Sequence, residues 1–333
     1  MKKKPMFILL FLFTLVFVVR SIDFNLDFEE TEEKSNLKTF INDQGEIKLY
    51  FCPQDNCEDA LVNFIDSAKK SIHCALFDIG LESVQNVLDK KIKEIEVKIV
   101  TDNDYVHKFN RSFVKVDSWG LQHNKFCIID GKKISTGSMN PTNNGAHKNN
   151  NNLLLIESKV LANNYDDEFM EMWNGTFKKG DNVKTPYLKL DDNTSIANFF
   201  CPEDNCAYHV KEELKKAQKS IHFMIFSFTH DGIANIILLK HLDNLTIKGV
   251  MEARQVTKYS KYEVLKYQGI DVIKDSNPNN LHHKVFIIDN ETVITGSFNP
   301  SAGGNTRNDE NILIIKNKEI AKKFIEEFDN VRN

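Results

Sequence analysis

Two short stretches of this chain carry side chains suited to phosphate chemistry. The first holds His123, Lys125, Asp130, Gly137, Ser138 and Asn140. The second holds His282, Lys284, Asp289, Gly296, Ser297 and Asn299 at identical spacing. In a β-strand alternate residues share a face, so each His and Lys point the same way. An imidazole beside an ammonium makes a poor core pair and a good anion site. The intervening FCII and VFII bury the strands that carry them. Asp130 and Asp289 begin a turn, where geometry competes with chemistry as the reason for a carboxylate. The GSMN and GSFN segments offer a hydroxyl and an amide to phosphate oxygens, or to a local turn.

Positioning these groups falls to a duplicated unit. FCPQDNC at 51–57 returns as FCPEDNC at 200–206, and KSIHCALFDI at 70–79 as KSIHFMIFSF at 219–228. The offset is 149 residues at the start and 159 at the histidines. The difference lies in YSKYEVLKYQGIDVI, a helical stretch that the first copy shortens. Each copy reads strand, helix, strand, helix, strand, variable segment, apolar hairpin, strand and helix. This predicts an α/β fold with a sheet covered on both faces, two tandem halves forming a pseudo-dimer, and one shared site at the seam. The expected boundaries are 47–173 for half 1, 174–196 for a polar connector and 197–333 for half 2.

The chain of 333 residues opens with MKKKP and an apolar run at 6–19, the pattern of a signal peptide or an uncleaved signal anchor over 1–22. Residues 23–46 read as an acidic stalk. The body is then expected outside the cytosol, secreted or membrane-anchored. A net charge of −4 excludes a protein that grips long duplex nucleic acid with its whole surface.

The repeated H-x-K-x4-D-x6-G-S-x-N motif resembles the signature of the phospholipase D superfamily over residues 47–330. It is most similar to the small nuclease-like branch, which includes the bacterial endonuclease Nuc and the mitochondrial phospholipase D/Zucchini group. The resemblance implies a metal-independent, cofactor-free phosphodiesterase. One His would attack phosphorus and the other would protonate the leaving oxygen, while Lys125, Lys284, Asn140 and Asn299 hold phosphate oxygens and Ser138 and Ser297 assist. In the nuclease-like relatives an acidic residue orients the motif His. Twenty-eight residues after His282 stands Glu310, and at the same distance after His123 stands Asn151. Reading each partner within its own half, Glu310 should keep His282 protonated as the acid, leaving His123 as the nucleophile. Asn151 also admits a partly degenerate half 1.

The expected substrate is single-stranded DNA or RNA, with phospholipid as the alternative. Lipid is disfavoured here by the apparent lack of exposed apolar loops or a basic amphipathic segment. A silent anion-binding module is the third reading. A membrane partner would come through the N-terminal segment, and a monomer is expected because duplication internalises the dimer interface. Cys52–Cys57 and Cys201–Cys206 suit two small disulfide loops in an oxidising compartment, with zinc or free thiols as rivals. Cys74 and Cys127 read as core residues, and His283 as structural or surface. Five sequons, at Asn110, Asn174, Asn193, Asn244 and Asn290, bear on export only in a glycosylating host.

Overall fold

The structure, a computed structural model, describes residues 38–117 and 120–333. The expected signal segment and most of the expected stalk lie outside the described residues. Thr39–Asn333 forms one compact unit. Where the sequence reads as stalk and connector, Ile41–Asn42 pairs in parallel with Tyr187–Lys189 and extends the sheet of half 2.

Each half is built on seven strands in one order. In half 1 this is Ile47–Cys52, Asn151–Glu157, Lys133–Gly137, Lys125–Ile129, Ser71–Leu76, Glu96–Thr101 and Val114–Val116. Half 2 repeats it with Ser195–Cys201, Asn308–Lys316, Thr292–Gly296, Lys284–Ile288, Ser220–Ile225, Thr246–Met251 and Asp271–Lys274. The motif strands Lys125–Ile129 and Lys284–Ile288 are buried at every position, as a continuous apolar run between two covered faces requires.

On the outer face of half 1 pack the helices Cys57–Asp66 and Glu82–Lys91. Half 2 carries Cys206–Lys215 and Asp231–Leu242 in those places. Asn56 and Asn205 cap the first helix of each half, accepting from the amides of Asp59 and Tyr208. The inner faces hold Lys159–Trp173 and Lys318–Arg332, capped by Ser158 and Asn317. The cores around these helices cross the seam. Leu313 and Ile315 of half 2 join the Tyr165–Phe169 cluster, and Leu49 and Phe51 of half 1 pack on the Phe324–Phe328 cluster.

The connector adds a buried ion triad. Lys178 Nζ lies 2.7 Å from Asp117 of half 1 and 3.4 Å from Asp309 of half 2, and its backbone amide donates to Asp309 Oδ1. Burial raises the Asp309 carboxyl to about 6 against the pull of that ammonium. A lysine closing both halves offsets one of the two buried carboxylate charges.

Cys52–Cys57 and Cys201–Cys206 are disulfides, each inside its own half. Cys74 and Cys127 differ from the expectation of plain core residues, since they too are bonded. They sit directly opposite on adjacent antiparallel strands with Cα atoms 4.0 Å apart, a proximity that cross-strand pairing creates and sequence separation hides.

Candidate active site

The strands that follow each motif hairpin bring the halves together. The backbone amide of His123 donates to the carbonyl of Asp309 at 3.0 Å, and that of His282 to the carbonyl of Asn150 at 2.9 Å. Each motif histidine is thus hydrogen-bonded to the opposite half, and the side chains follow. His123 Nδ1 lies 2.8 Å from Glu310 Oε2. His282 Nδ1 lies 2.9 Å from Asn151 Oδ1 and 3.1 Å from the carbonyl oxygen of Ser138. The expectation that Glu310 backs His282 and Asn151 backs His123 is therefore corrected: the partners cross the seam. The carboxylate sits behind the expected nucleophile and the amide behind the expected acid.

His123, Lys125, His282 and Lys284 converge and act on one another electrostatically. Burial drives both imidazoles well below their usual value, and the two ammonium groups push the same way. Burial also brings the Lys125 ammonium down to about 7 and Lys284 well below its ordinary range. Burial pushes the Glu310 carboxyl up to about 8, opposed by Lys125. Each lysine is anchored from behind, Lys284 Nζ donating to the carbonyl of His282 at 2.7 Å and Lys125 Nζ to that of His123.

Ser138 and Ser297 do not stand as direct phosphate contacts. Ser138 Oγ donates to Asn151 Oδ1 at 2.9 Å, and Ser297 hydrogen-bonds Glu310. They orient the groups that orient the histidines. Gly137 and Gly296 make this possible, since a Cβ at either, at φ 137° and 143°, would lie 2.4 and 2.3 Å from the carbonyl oxygens of Asn152 and Asn311. Asn140 and Asn299 each keep a buried Oδ1 without a protein partner, so these amides retain capacity for a bound group.

Asp130 and Asp289, grouped with the catalytic candidates by the motif, are corrected to turn residues. Each has a positive φ. Asp130 accepts from the amides of Lys69, Lys70 and Ser71, and Asp289 from those of Gln218, Lys219 and Ser220. They clamp the loop entering the central strand, at the end of the hairpin away from the histidines.

Sequence reasoning missed the aromatic walls. Phe77 and Phe226 meet the rings of His123 and His282 edge-on at 4.9 and 4.8 Å. Both lie in the repeated LFDI and IFSF segments at one offset, which was the available signal. It also missed a buried amide network across the seam. Thr136 and Asn124 bind Asn311, while Thr295 and His283 bind Asn152. His283 is buried in that network and lies 3.2 Å from Glu327. Among the described residues no cluster of His, Cys, Asp or Glu is arranged to hold a metal.

The family profile described as cardiolipin synthase, PLD-like domain, matches residues 61–173 and 210–332, more than half of the chain. The chain belongs to the phospholipase D-like family. Several relatives match about the length of one half. A phospholipase D of Rickettsia typhi is 29% identical over 133 residues, 40% of this chain and 65% of that protein, so the match stops short of that relative's whole length. A mitochondrial cardiolipin hydrolase of Xenopus tropicalis is 29% identical, over 38% of this chain and 67% of that one. Nuc of Salmonella typhimurium is 30% identical over 42% of this chain and 95% of its own, with a TM-score of 0.40. A phosphatidylserine synthase of Haemophilus influenzae shares the fold across 85% of both chains, with a TM-score of 0.64 at 13% identity.

The lysine electrostatics give a pH dependence. A phosphate-like anion would bind the charged form of Lys125, which predominates below about 7 in the free protein. Above that pH, binding must first place a proton on the lysine. The apparent Kd of tungstate is expected to rise with pH above 7, by about tenfold per unit for each lysine that must take up a proton. Calorimetric titration between pH 5.5 and 8.5, a range set around that value, checks it. A Kd that falls as pH rises would remove the lysines from the anion site.

Proposed function

We propose that this protein cleaves phosphodiesters in two steps through a phosphohistidine on His123, with phospholipid as the substrate. The crossed partnership, carboxylate behind His123 and amide behind His282, carries this reading. With Nδ1–H donated to Glu310, the Nε2 lone pair of His123 faces the substrate. It attacks phosphorus, an N–P bond forms and the P–O bond to the leaving alcohol breaks. His282, which takes up a proton from solvent as the substrate anion binds, gives that Nε2 proton to the departing oxygen. Water then attacks phosphorus, His282 takes a proton from it, and the N–P bond breaks to restore His123. The substrate anion draws protons onto Lys125 and Lys284, which hold the non-bridging oxygens.

For the substrate, support comes from relatives named phospholipase D and cardiolipin hydrolase. The surface adds to it. The sequence argued against lipid for want of exposed apolar segments, yet Leu239, Leu242, Tyr259 and Tyr267 are exposed. Single-stranded nucleic acid is the second reading, favoured by a specific feature of the rim. Tyr105 packs on Phe77 at 4.7 Å, an aromatic platform suited to a stacked base.

Cardiolipin vesicles and labelled single-stranded DNA, each incubated with the protein in excess EDTA, separate the two. Release of a phosphatidic acid product, absent with His123→Asn, is expected. DNA cleavage without lipid turnover would replace the lipid reading by the nucleic-acid one.

A further inference from the structure

The duplication supplies an internal control for the surface of half 2. Helix Asp231–Leu242 occupies the place that Glu82–Lys91 holds in half 1. The alignment is fixed by two equivalent bonds, Lys91 Nζ to the carbonyl of Ala68 and Lys240 Nζ to that of Ala217. In this register Asp89, Lys90 and Lys93 of half 1 become Leu238, Leu239 and Leu242. The half 1 helix is an ordinary solvated surface helix, with Lys90 bridged to Asp66 at 3.1 Å. The half 2 helix buries Ile233, Ala234 and Ile237 against the sheet yet stays apolar outside, with Leu239 and Leu242 56% and 72% exposed. A helix apolar all round is normally covered on every side.

A second element extends this face. Among the described residues, helix Tyr262–Tyr267 has no counterpart in half 1: both crossovers carry a 3₁₀ turn, Val106–Lys108 and Ala253–Gln255, and half 2 adds the helix. Both helices pack on one core. Lys261 Nζ pairs with Asp231 where they begin, and a Cβ at Gly269 would lie 3.9 Å from His241 where they end. Tyr259 and Tyr267 are 67% and 88% exposed, with Val264 between them.

We propose that this face, formed by Asp231–Leu242 and Tyr262–Tyr267, docks on an anionic lipid bilayer. Its chemistry selects that occupant. Residues 253–274 carry Arg254, Lys258, Lys261, Lys266 and Lys274 against Glu263 and Asp271, in a chain whose net charge is −4. Exposed leucines and tyrosines with Lys258 and Lys274 beside them match the boundary between acyl chains and anionic headgroups, where lysine stems lie along apolar surface with the ammonium in water. Lys258 and Lys274 already lie over Tyr259 and Tyr262 at 5.0 Å. A second copy of this chain fits less well, because a two-fold contact would oppose the same basic segment to itself. The two helices begin near the active site, and Leu239, Leu242 and Tyr267 lie toward their far ends. Phe226 touches His282 and leads into helix Asp231–Leu242, and the amide of Lys261 bonds the carbonyl of Phe228. The inference goes beyond the choice of substrate, since docking does not depend on which phosphodiester is cleaved.

The test uses residues 39–333, which contain all four hydrophobic cores and form a compact unit. Flotation with vesicles of phosphatidylcholine mixed with phosphatidylglycerol compares this protein with the Leu239→Gln, Leu242→Gln, Tyr267→Gln triple variant. The unsubstituted protein should float with the mixed vesicles and far less with phosphatidylcholine alone. The variant's partitioning should fall about tenfold or more, with hydrolysis of soluble bis(p-nitrophenyl) phosphate unchanged. Equal partitioning of the two proteins, or no flotation of either, overturns the proposal. So would sedimentation showing a dimer that the same substitutions disperse, which would assign the face to a second copy. Flotation needs no turnover, so failure to dock and failure to cleave phosphodiesters are read separately.

Discussion

Replacing His123 by Asn is expected to reduce turnover of any phosphodiester by about 10⁴-fold or more, the scale at which a nucleophile is lost. Asn keeps a polar group in the cavity, so the buried surroundings of Phe77 and Lys125 stay filled. The paired variant separates the two histidines. With His282→Asn the nucleophile survives, and a substrate with a p-nitrophenolate leaving group needs no proton from an acid. The first step should proceed while hydrolysis of the intermediate, which needs a base for water, stalls. A p-nitrophenyl phosphoryl group should then accumulate on His123, seen as added mass on the peptide 121–125 after rapid quench. Its appearance on His282 would reverse the assignment of nucleophile and acid.

Glu310→Gln should lower turnover about a thousandfold. Glutamine keeps an oxygen to accept from Nδ1 of His123 but removes the charge that offsets the cationic phosphohistidine. Burial pushes the Glu310 carboxyl up to about 8 against the pull of Lys125 and Lys284. The crossing decides the kinetic signature. Behind His123, the loss falls on formation of the phosphoryl-enzyme, so p-nitrophenyl and alkyl leaving groups suffer alike. Were Glu310 the partner of His282, a p-nitrophenyl substrate would escape most of the loss. Burst kinetics with the two substrates distinguishes these outcomes.

Two matched motifs in a duplicated chain were enough to announce a phosphate site, because strand periodicity places His and Lys on one face. The apolar strands, the capped helices and the extra helix Tyr262–Tyr267 were also legible, since each is written in local pattern. The partners of the histidines were not. Asn151 and Glu310 stand at the same distance after His123 and His282, and nothing local says that each strand begins beside the other half. That is decided where Asp309 and Asn150 offer their carbonyls across the seam. The same contacts turned Ser138 and Ser297 from phosphate ligands into props for those partners. Asp130 and Asp289 shared the motif with the histidines but stand at the far end of the hairpin, because a strand of five residues separates its two ends. The bond between Cys74 and Cys127 depends on strand register, and the apolar outer face of half 2 depends on which side of its helix the sheet covers. Sequence alone determined the chemistry available and the fold that carries it. Tertiary structure decided which half each group serves, because the site forms at a seam between elements distant along the chain.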